Sequence, residues 1–308
     1  MISAIIPVYN EEENVETLHR QLLKVLHGIG QPFEILFIND GSLDRTFEKL
    51  QTLRPVRIIN FRKRFGQTAA FDAGFKEAKG DVLVTLDGDL QNNPEDIPTL
   101  LDALGKGYDV VCGWRHDRQD ALSKRFFSFG ARAIRRLLLA DTLHDAGCSL
   151  RAYRRHALES LDLYGEMHRL IAPILSLRGY RVTEVKVRHR ARRYGKTKYN
   201  WKRAIKGFVD MVNLWFLYKY RARPLHVFGG LGLLFFFVGF GLTAYFVFIR
   251  LFFGIALAGR VLPIGALFLV LFGIQLFMTG LLADIAIKNY YSVSADKSYF
   301  IKEIIERV

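Results

Sequence analysis

Along its first 115 positions the chain alternates between short, almost wholly apolar runs and longer stretches with helical spacing. Residues 3–8, 34–39, 56–60, 82–86 and 109–113 are rich in Val, Ile, Leu and Phe and are mostly apolar on both faces. That pattern predicts strands buried in a parallel sheet, because strands with one wet face alternate instead. Residues 12–26, 43–53, 67–78 and 94–104 place apolar side chains at helical intervals, and the last opens on Pro94, which suits a first turn. Regular alternation of strand and helix predicts an open parallel α/β sheet, with ligands bound beyond the carboxyl ends of the strands. Polar residues stand at those ends: Tyr9, Asn10 and Glu11; Asn39, Asp40, Gly41 and Ser42; Asp87, Gly88 and Asp89.

Further on, residues 121–139 predict an amphipathic helix with a basic face, and residues 148–153 and 181–187 two more strands. Residues 198–223 mix Trp201, Phe208, Trp215 and Phe216 with Lys202, Arg203 and Lys206, a composition suited to a helix lying among lipid headgroups. From 224 to 249 no charged residue occurs in 26 positions, and from 261 to 283 none in 23. Each run exceeds the roughly 20 residues that cross a bilayer as helix. The expected organisation is an α/β domain over 1–190, a basic loop with interfacial helices over 191–223, a two-helix membrane hairpin over 224–285 and a tail over 286–308.

Charge sharpens this division. The 308 residues carry 44 Lys or Arg against 30 Asp or Glu, a net of +14. Residues 1–184 balance, with 25 of each sign, whereas residues 185–223 hold 13 basic side chains against Asp210 alone. A nucleic-acid binder spreads its basic surface over the folded domain; an excess beside a membrane segment points to anionic headgroups or lipid-borne phosphate. Two basic residues between the spans, Arg250 and Arg260, against 13 before them place both large segments in the cytoplasm. The N-terminal apolar run is too short for a secretory signal and is followed by Glu11, Glu12 and Glu13. Cys112 and Cys148 have no metal-binding spacing and are expected to be buried and reduced. The composition excludes a disordered chain, a disulfide-stapled secreted domain and a purely soluble enzyme.

Asp87 and Asp89, two apart at a strand end, can converge on one hard cation, with Gln91 as a further oxygen ligand. Taken alone, such pairs are common in solvated turns, and Asp40 and Asn10 could equally cap the helices that follow them. Three strand ends presenting carboxylates on one edge weigh toward a site.

Together these residues resemble a known family. Ile6-Pro7-Val8-Tyr9-Asn10-Glu11-Glu12, Asn39-Asp40-Gly41-Ser42-Leu43-Asp44, Gly66-Gln67-Thr68-Ala69-Ala70 with Gly74, and Asp87-Gly88-Asp89-Leu90-Gln91 are similar to the motifs of family 2 glycosyltransferases of the GT-A fold. With two C-terminal spans the chain looks like the polyprenyl-phosphate glycosyltransferases, such as dolichyl-phosphate mannose synthases and bacterial undecaprenyl-phosphate enzymes. The resemblance implies a GT-A catalytic domain and a metal triplet, Asp87, Asp89 and Gln91, holding Mg²⁺ or Mn²⁺ against the donor diphosphate. It implies nucleotide contacts from Pro7, Tyr9, Glu11, Asp40 and Asp87, and acceptor-phosphate contacts from Arg115, Lys124, Arg125 and Ser128. Arg193, Lys196 and Lys198 fall in its basic closing loop, and residues 145–148 resemble a loop near the sugar. Gly88 replaces a commoner Ala, Thr197 a Ser, and Arg64 stands where relatives often have Asn.

The implied reaction moves one sugar from GDP-mannose or a UDP-sugar to dolichyl or undecaprenyl phosphate, with inversion. A phosphate monoester is largely dianionic near neutrality, its second pKa being about 6, so it is already a nucleophile. Asp89 and Arg115 are the expected catalytic residues, the first through the metal and the second by orienting the acceptor. Gly229, Gly230, Gly232 and Gly239 allow close packing between spans or in a homo-oligomer. A processive polysaccharide synthase would carry a Gln-x-x-Arg-Trp motif and more spans, and a non-catalytic lipid-presenting protein would not need the acidic triplet.

Overall fold

The computed structural model describes residues 1–115, 136, 143–145, 147–159, 161, 163, 165, 167–190, 212, 215, 216, 224–256 and 260–293, with side chains in the last helix as far as 287 and at 289. They fall into two compact units, Met1–Asn213 and Leu214–Val308.

The first unit is built on strands β1 (Ile2–Val8), β2 (Phe33–Asn39), β3 (Arg57–Asn60), β4 (Val82–Thr85), β5 (Val110–Arg115), β6 (Arg151–Arg154) and β7 (Val182–Val187), hydrogen-bonded in the order β3-β2-β1-β4-β6-β5-β7. Helices α1 (Val15–Ile29), α2 (Thr46–Thr52), α3 (Gln67–Glu77), α4 (Ile97–Gly105), α5 (Arg155–Leu158) and α6 (Ile171–Leu177) connect and cover them. Ala4, Ile6 and Val8 of β1 share one core with Val15, Leu18, Leu22 and Leu26 of α1. The latter spacing puts one face of α1 on the sheet. On the other side, a Cβ placed at Gly74 of α3 would lie 2.5 Å from Ile5 Cγ2, so the missing side chain sets how closely α3 approaches.

The sheet is mostly parallel, as the alternation predicts, with one departure. β6 runs antiparallel to both β4 and β5 and separates them. A strict strand-helix-strand reading places β5 beside β4; a strand supplied some forty residues later takes that position instead. Helix starts also shift. α1 begins at Val15, because Glu11 closes the preceding turn by accepting from the backbone N–H groups of Asn14 and Val15. α2 begins at Thr46, whose N–H donates to Asp44 Oδ1 at 3.0 Å. The side chain at the start of α2 is therefore Asp44, not Asp40. The sixth strand begins at Arg151 rather than 148, because Cys148 and Ser149 spend their carbonyls on the side chains of Arg151 and Thr85.

The second unit contains α7 (Pro224–Phe253) and α8 (Val261–Val293). Over Pro224–Phe253 and Val261–Ile287 they are long and apolar enough to cross a membrane, each holding an 18-residue stretch of mean hydropathy 2.2 and 2.4 respectively. α7 passes the expected turn at Arg250 and stops at Phe253, before Gly254 at φ +67°. Glycine governs their contact. A Cβ on Gly232 would lie 2.7 Å from the Gly273 carbonyl, one on Gly239 2.6 Å from Val270 N, and one on Gly273 2.5 Å from Phe236 N. Backbones so close pack by van der Waals contact, the main attraction available between helices in lipid. Gly273→Leu is expected to force the helices apart and lower the melting temperature of the detergent-solubilised protein, whereas Gly265→Leu, with open space at its Cβ, should leave it near wild type.

Candidate active site

Because β1, β2 and β4 are parallel, their carboxyl ends share an edge, and the loops leaving them are cross-linked. Asn10, in the left-handed region at φ +55°, accepts from the Leu43 N–H at 2.9 Å and donates its own N–H to Ser42 Oγ at 3.0 Å. The Glu11 N–H donates to Thr46 Oγ1 at 2.8 Å, and the Glu11 carboxylate accepts from Asn14 Nδ2 at 2.6 Å. Tyr9 lies beside this network with the Arg64 guanidinium 4.2 Å from its ring centroid, a cation–π contact. Arg64, the departure noted in the sequence, is thus turned toward the site.

Asp40 is tied to the loop that follows β3. It is 4% exposed and accepts from the Phe65 N–H at 2.6 Å and the Gly66 N–H at 2.9 Å. Its carboxylate holds the turn that opens α3, where Gly66 has φ +101°. The next residue, Gln67, donates Nε2 to Asp87 Oδ1 at 2.7 Å.

Asp87, Gly88 and Asp89 follow β4 and press against β1: a Cβ on Gly88 would lie 2.7 Å from Val8 Cγ1. Leu90 adopts φ +61°, in the left-handed region that residues other than glycine rarely enter, and the Gln91 N–H donates to Asp89 Oδ1 at 3.1 Å. Asp89 is 6% exposed. Burial raises the Asp87 carboxyl above its ordinary range, and the charge of Asp89 pushes the same way; hydrogen bonds from Ser149 and Gln67 and the Arg115 charge oppose this. Two carboxylates that oppose each other's ionisation would offer hard oxygen ligands to a divalent cation. Among the described residues no group of three or more His, Cys, Asp or Glu is arranged to hold a metal ion.

On the other side, Arg115 at the end of β5 makes a two-pronged ion pair with Asp145, Nε to Oδ2 at 2.6 Å and Nη2 to Oδ1 at 2.9 Å. Burial disfavours the Arg115 charge, but the Asp145 hydrogen bonds and charge outweigh it and hold the proton more firmly than usual. The Gly147 N–H donates to Asp145 Oδ1 at 3.1 Å, so Asp145 and Gly147 together bracket the guanidinium. Asp87 and Arg115 line one cavity of about 290 Å³, walled further by Gln67, Ser149, His168 and Arg169. His168 Nδ1 and Thr68 Oγ1 share a hydrogen bond of 2.7 Å that ties this wall to α3. Cys112 and Cys148 are buried, as expected of small apolar side chains, and burial pushes the Cys148 thiol up to about 11, so it stays protonated at neutral pH.

The structure thus brings Pro7, Tyr9, Glu11, Asp40, Asp87, Asp89 and Gln91 to one edge and joins Asp87 with Arg115 at one cavity. Lys124, Arg125, Ser128, Arg193, Lys196 and Lys198 lie outside the described residues, as does Ala146. Sequence reasoning assigned no role to Gln67, Ser149, His168 or Arg169. Gln67 lay inside a quoted motif; the others carry no local signal and meet only through the fold.

Residues 3–162 match the model of glycosyl transferase family 2. Over 320 residues the chain is 33% identical to a dodecaprenyl-phosphate galacturonate synthase of Rhizobium johnstonii, covering 99% of this chain and 93% of that protein. Over 314 residues it is 37% identical to an undecaprenyl-phosphate 4-deoxy-4-formamido-L-arabinose transferase of Pseudomonas aeruginosa, covering 99% and 90%. The fold is also that of glucosyl-3-phosphoglycerate synthase from Mycobacterium tuberculosis, crystallised with Mn²⁺, UDP-glucose and phosphoglyceric acid, at a TM-score of 0.57 and 19% identity over 70% of this chain and 79% of that one. An acidic strand end facing a bracketed arginine, on a sheet of this topology and with kinship along nearly the whole chain, leads to one assignment: the chain belongs to glycosyl transferase family 2 and is a glycosyltransferase related to the polyprenyl-phosphate sugar transferases.

Proposed function

We propose that the enzyme transfers one sugar from a nucleoside-diphosphate sugar to a membrane-held polyprenyl phosphate, giving the polyprenyl-phosphate sugar with inversion at the anomeric carbon. The observation that carries this reading is that Asp87, from the acidic strand end, and Arg115, a cation fit for phosphate, line the same cavity. Full-length kinship to enzymes named for undecaprenyl and dodecaprenyl phosphate favours an acceptor of that kind over dolichyl phosphate.

In this reading Pro7, Tyr9 and Glu11 border the nucleoside, and Asp40 shapes its pocket by holding the Phe65–Gly66 turn. Asp87, Asp89 and Gln91 would hold Mg²⁺ or Mn²⁺. The chemistry such an ion supplies is neutralisation of charge on the departing diphosphate. Arg115 meets the acceptor phosphate and turns one oxygen toward the sugar, aided by Lys124, Arg125 and Ser128, while Arg193, Lys196 and Lys198 close over the phosphates. No residue need remove a proton from the acceptor, because the phosphate monoester attacks as an anion. α7 and α8 anchor the enzyme as a membrane hairpin, with the catalytic unit and C-terminus on the cytoplasmic side, and a homo-oligomer is compatible with this arrangement.

The test is reconstitution of the full chain in liposomes with undecaprenyl or dolichyl phosphate and a panel of UDP- and GDP-sugars that includes galacturonate and 4-deoxy-4-formamido-arabinose donors. The expected result is a single glycolipid product from one donor, lost on adding chelator and restored by Mg²⁺ or Mn²⁺. Transfer from no donor refutes the reading, and a polymeric product replaces it with a processive synthase.

A further inference from the structure

Among the described residues of the first unit, four large apolar side chains stand well exposed, and the two most exposed belong to adjoining loops. Leu43 is 86% exposed and Phe65 58%. The loops touch: a Cβ on Gly41 would lie 2.4 Å from the Lys63 carbonyl carbon. Both are held in place. The Leu43 N–H donates to Asn10 Oδ1 and the Phe65 N–H to Asp40 Oδ1. Phe61 meets the Phe65 ring edge-on at 5.6 Å, and Lys63 Nζ sits 5.3 Å from the Phe65 centroid. These apolar side chains are therefore presented to solvent by a built surface.

Beside Phe65 the charge is basic. Arg62, Lys63 and Arg64 are consecutive and exposed, with no acid between Phe61 and Phe65. The two carboxylates of the partner loop accept internal hydrogen bonds, Asp40 from Phe65 and Gly66, Asp44 from Thr46 and Glu12. Arg45 pairs with Glu48 at 3.3 Å. Arg64 leans over Tyr9, toward the site, which leaves Arg62 and Lys63 for an outside partner.

We propose that the loops at 40–45 and 61–66 form a docking surface for an anionic lipid bilayer, with Leu43 and Phe65 entering the headgroup region and Arg62 and Lys63 meeting lipid phosphates. Fixed apolar side chains flanked by cations are the composition that binds such an interface, through apolar burial and attraction to anionic headgroups together. Two helices long and apolar enough to cross a bilayer in the same chain keep a lipid surface within reach. The proposal rests on the membrane anchoring in the reading above and is independent of the sugar, the acceptor and the metal.

The test uses the full chain in nanodiscs containing phosphatidylglycerol. Cys112 and Cys148 are buried, so a nitroxide attaches to a cysteine introduced by Phe65→Cys, with Phe268→Cys on α8 as a membrane reference and Gln51→Cys as an aqueous one. Collision with lipid-soluble oxygen and with a water-soluble nickel chelate is then compared. The expected result is that the label at 65 gains oxygen contact and loses nickel contact relative to 51, and that Arg62→Ser with Lys63→Ser, or replacement of phosphatidylglycerol by phosphatidylcholine, reverses this. A label at 65 as open to nickel as that at 51, while 268 reports lipid, overturns the docking surface. If 268 itself reports water, the anchoring reading fails instead. Protection at 65 that appears in detergent on adding UDP or GDP would assign the loop to the donor, and protection rising with protein concentration would assign it to a second copy; either outcome overturns the proposal.

Discussion

Asp89→Ala is expected to reduce sugar transfer at least about 10³-fold, the scale seen when a group aimed at developing charge is removed. Asp89 is buried at the end of β4, beside an Asp87 whose own ionisation is opposed by burial and by Asp89. Replacing it with alanine relieves that crowding, so the variant should fold; a thermal melt near wild type would establish this. What it removes is half of the carboxylate pair that makes an all-oxygen cation site. Asp89→Asn is the sharper variant, because it keeps shape and the Gln91 contact while deleting charge. It should be nearly as inactive, and the binding of Mn²⁺ to the protein should weaken with it. Full turnover of either variant in the presence of chelator would show that the pair has no role in transfer.

The second large effect is expected at Arg115, and Asp145 makes it interpretable. Arg115→Ala should raise the KM for the lipid phosphate and lower kcat/KM about 10²-fold or more, with the donor KM little changed. It also deletes one member of a buried ion pair whose Asp145 carboxylate is 7% exposed, a change that costs about 3–5 kcal/mol. Loss of activity alone would then be ambiguous. Arg115→Ala combined with Asp145→Ala removes both charges and should recover most of the stability without recovering acceptor use. Arg115→Lys should fail as well, since an ammonium cannot reproduce the two-pronged contact. Asp145→Asn tests the bracket itself: the guanidinium keeps its charge but loses its fixed aim, so the acceptor KM should rise about tenfold while donor binding holds. Unchanged acceptor kinetics in all four variants would remove Arg115 from the acceptor site.

The framework of this enzyme is legible in its sequence where the physics is local. Five apolar runs mark β1 to β5, because strands buried on both faces must be apolar throughout, and polar residues at their ends mark the ligand edge. The two charge-free runs likewise appear as α7 and α8. The insertion of β6 between β4 and β5 was not legible, since pairing order is set by contacts between distant residues. Nor was the posture of Asp40: its motif fixes the position, but its bonds go to amides twenty-five and twenty-six residues away. The cavity wall at Ser149, His168 and Arg169 is of the same kind, assembled from segments whose spacing carries no periodic signal.

The run of contacts from Asp40 through the Phe65 and Gly66 amides to Gln67, and from Gln67 to Asp87, bears on how such enzymes can be re-engineered. The turn that Asp40 holds also begins the helix whose first side chain steadies Asp87. A 61–66 segment transplanted from another enzyme would therefore bring its own tension on Asp87. A working graft would have to move Asp40, the turn and Gln67 as one piece.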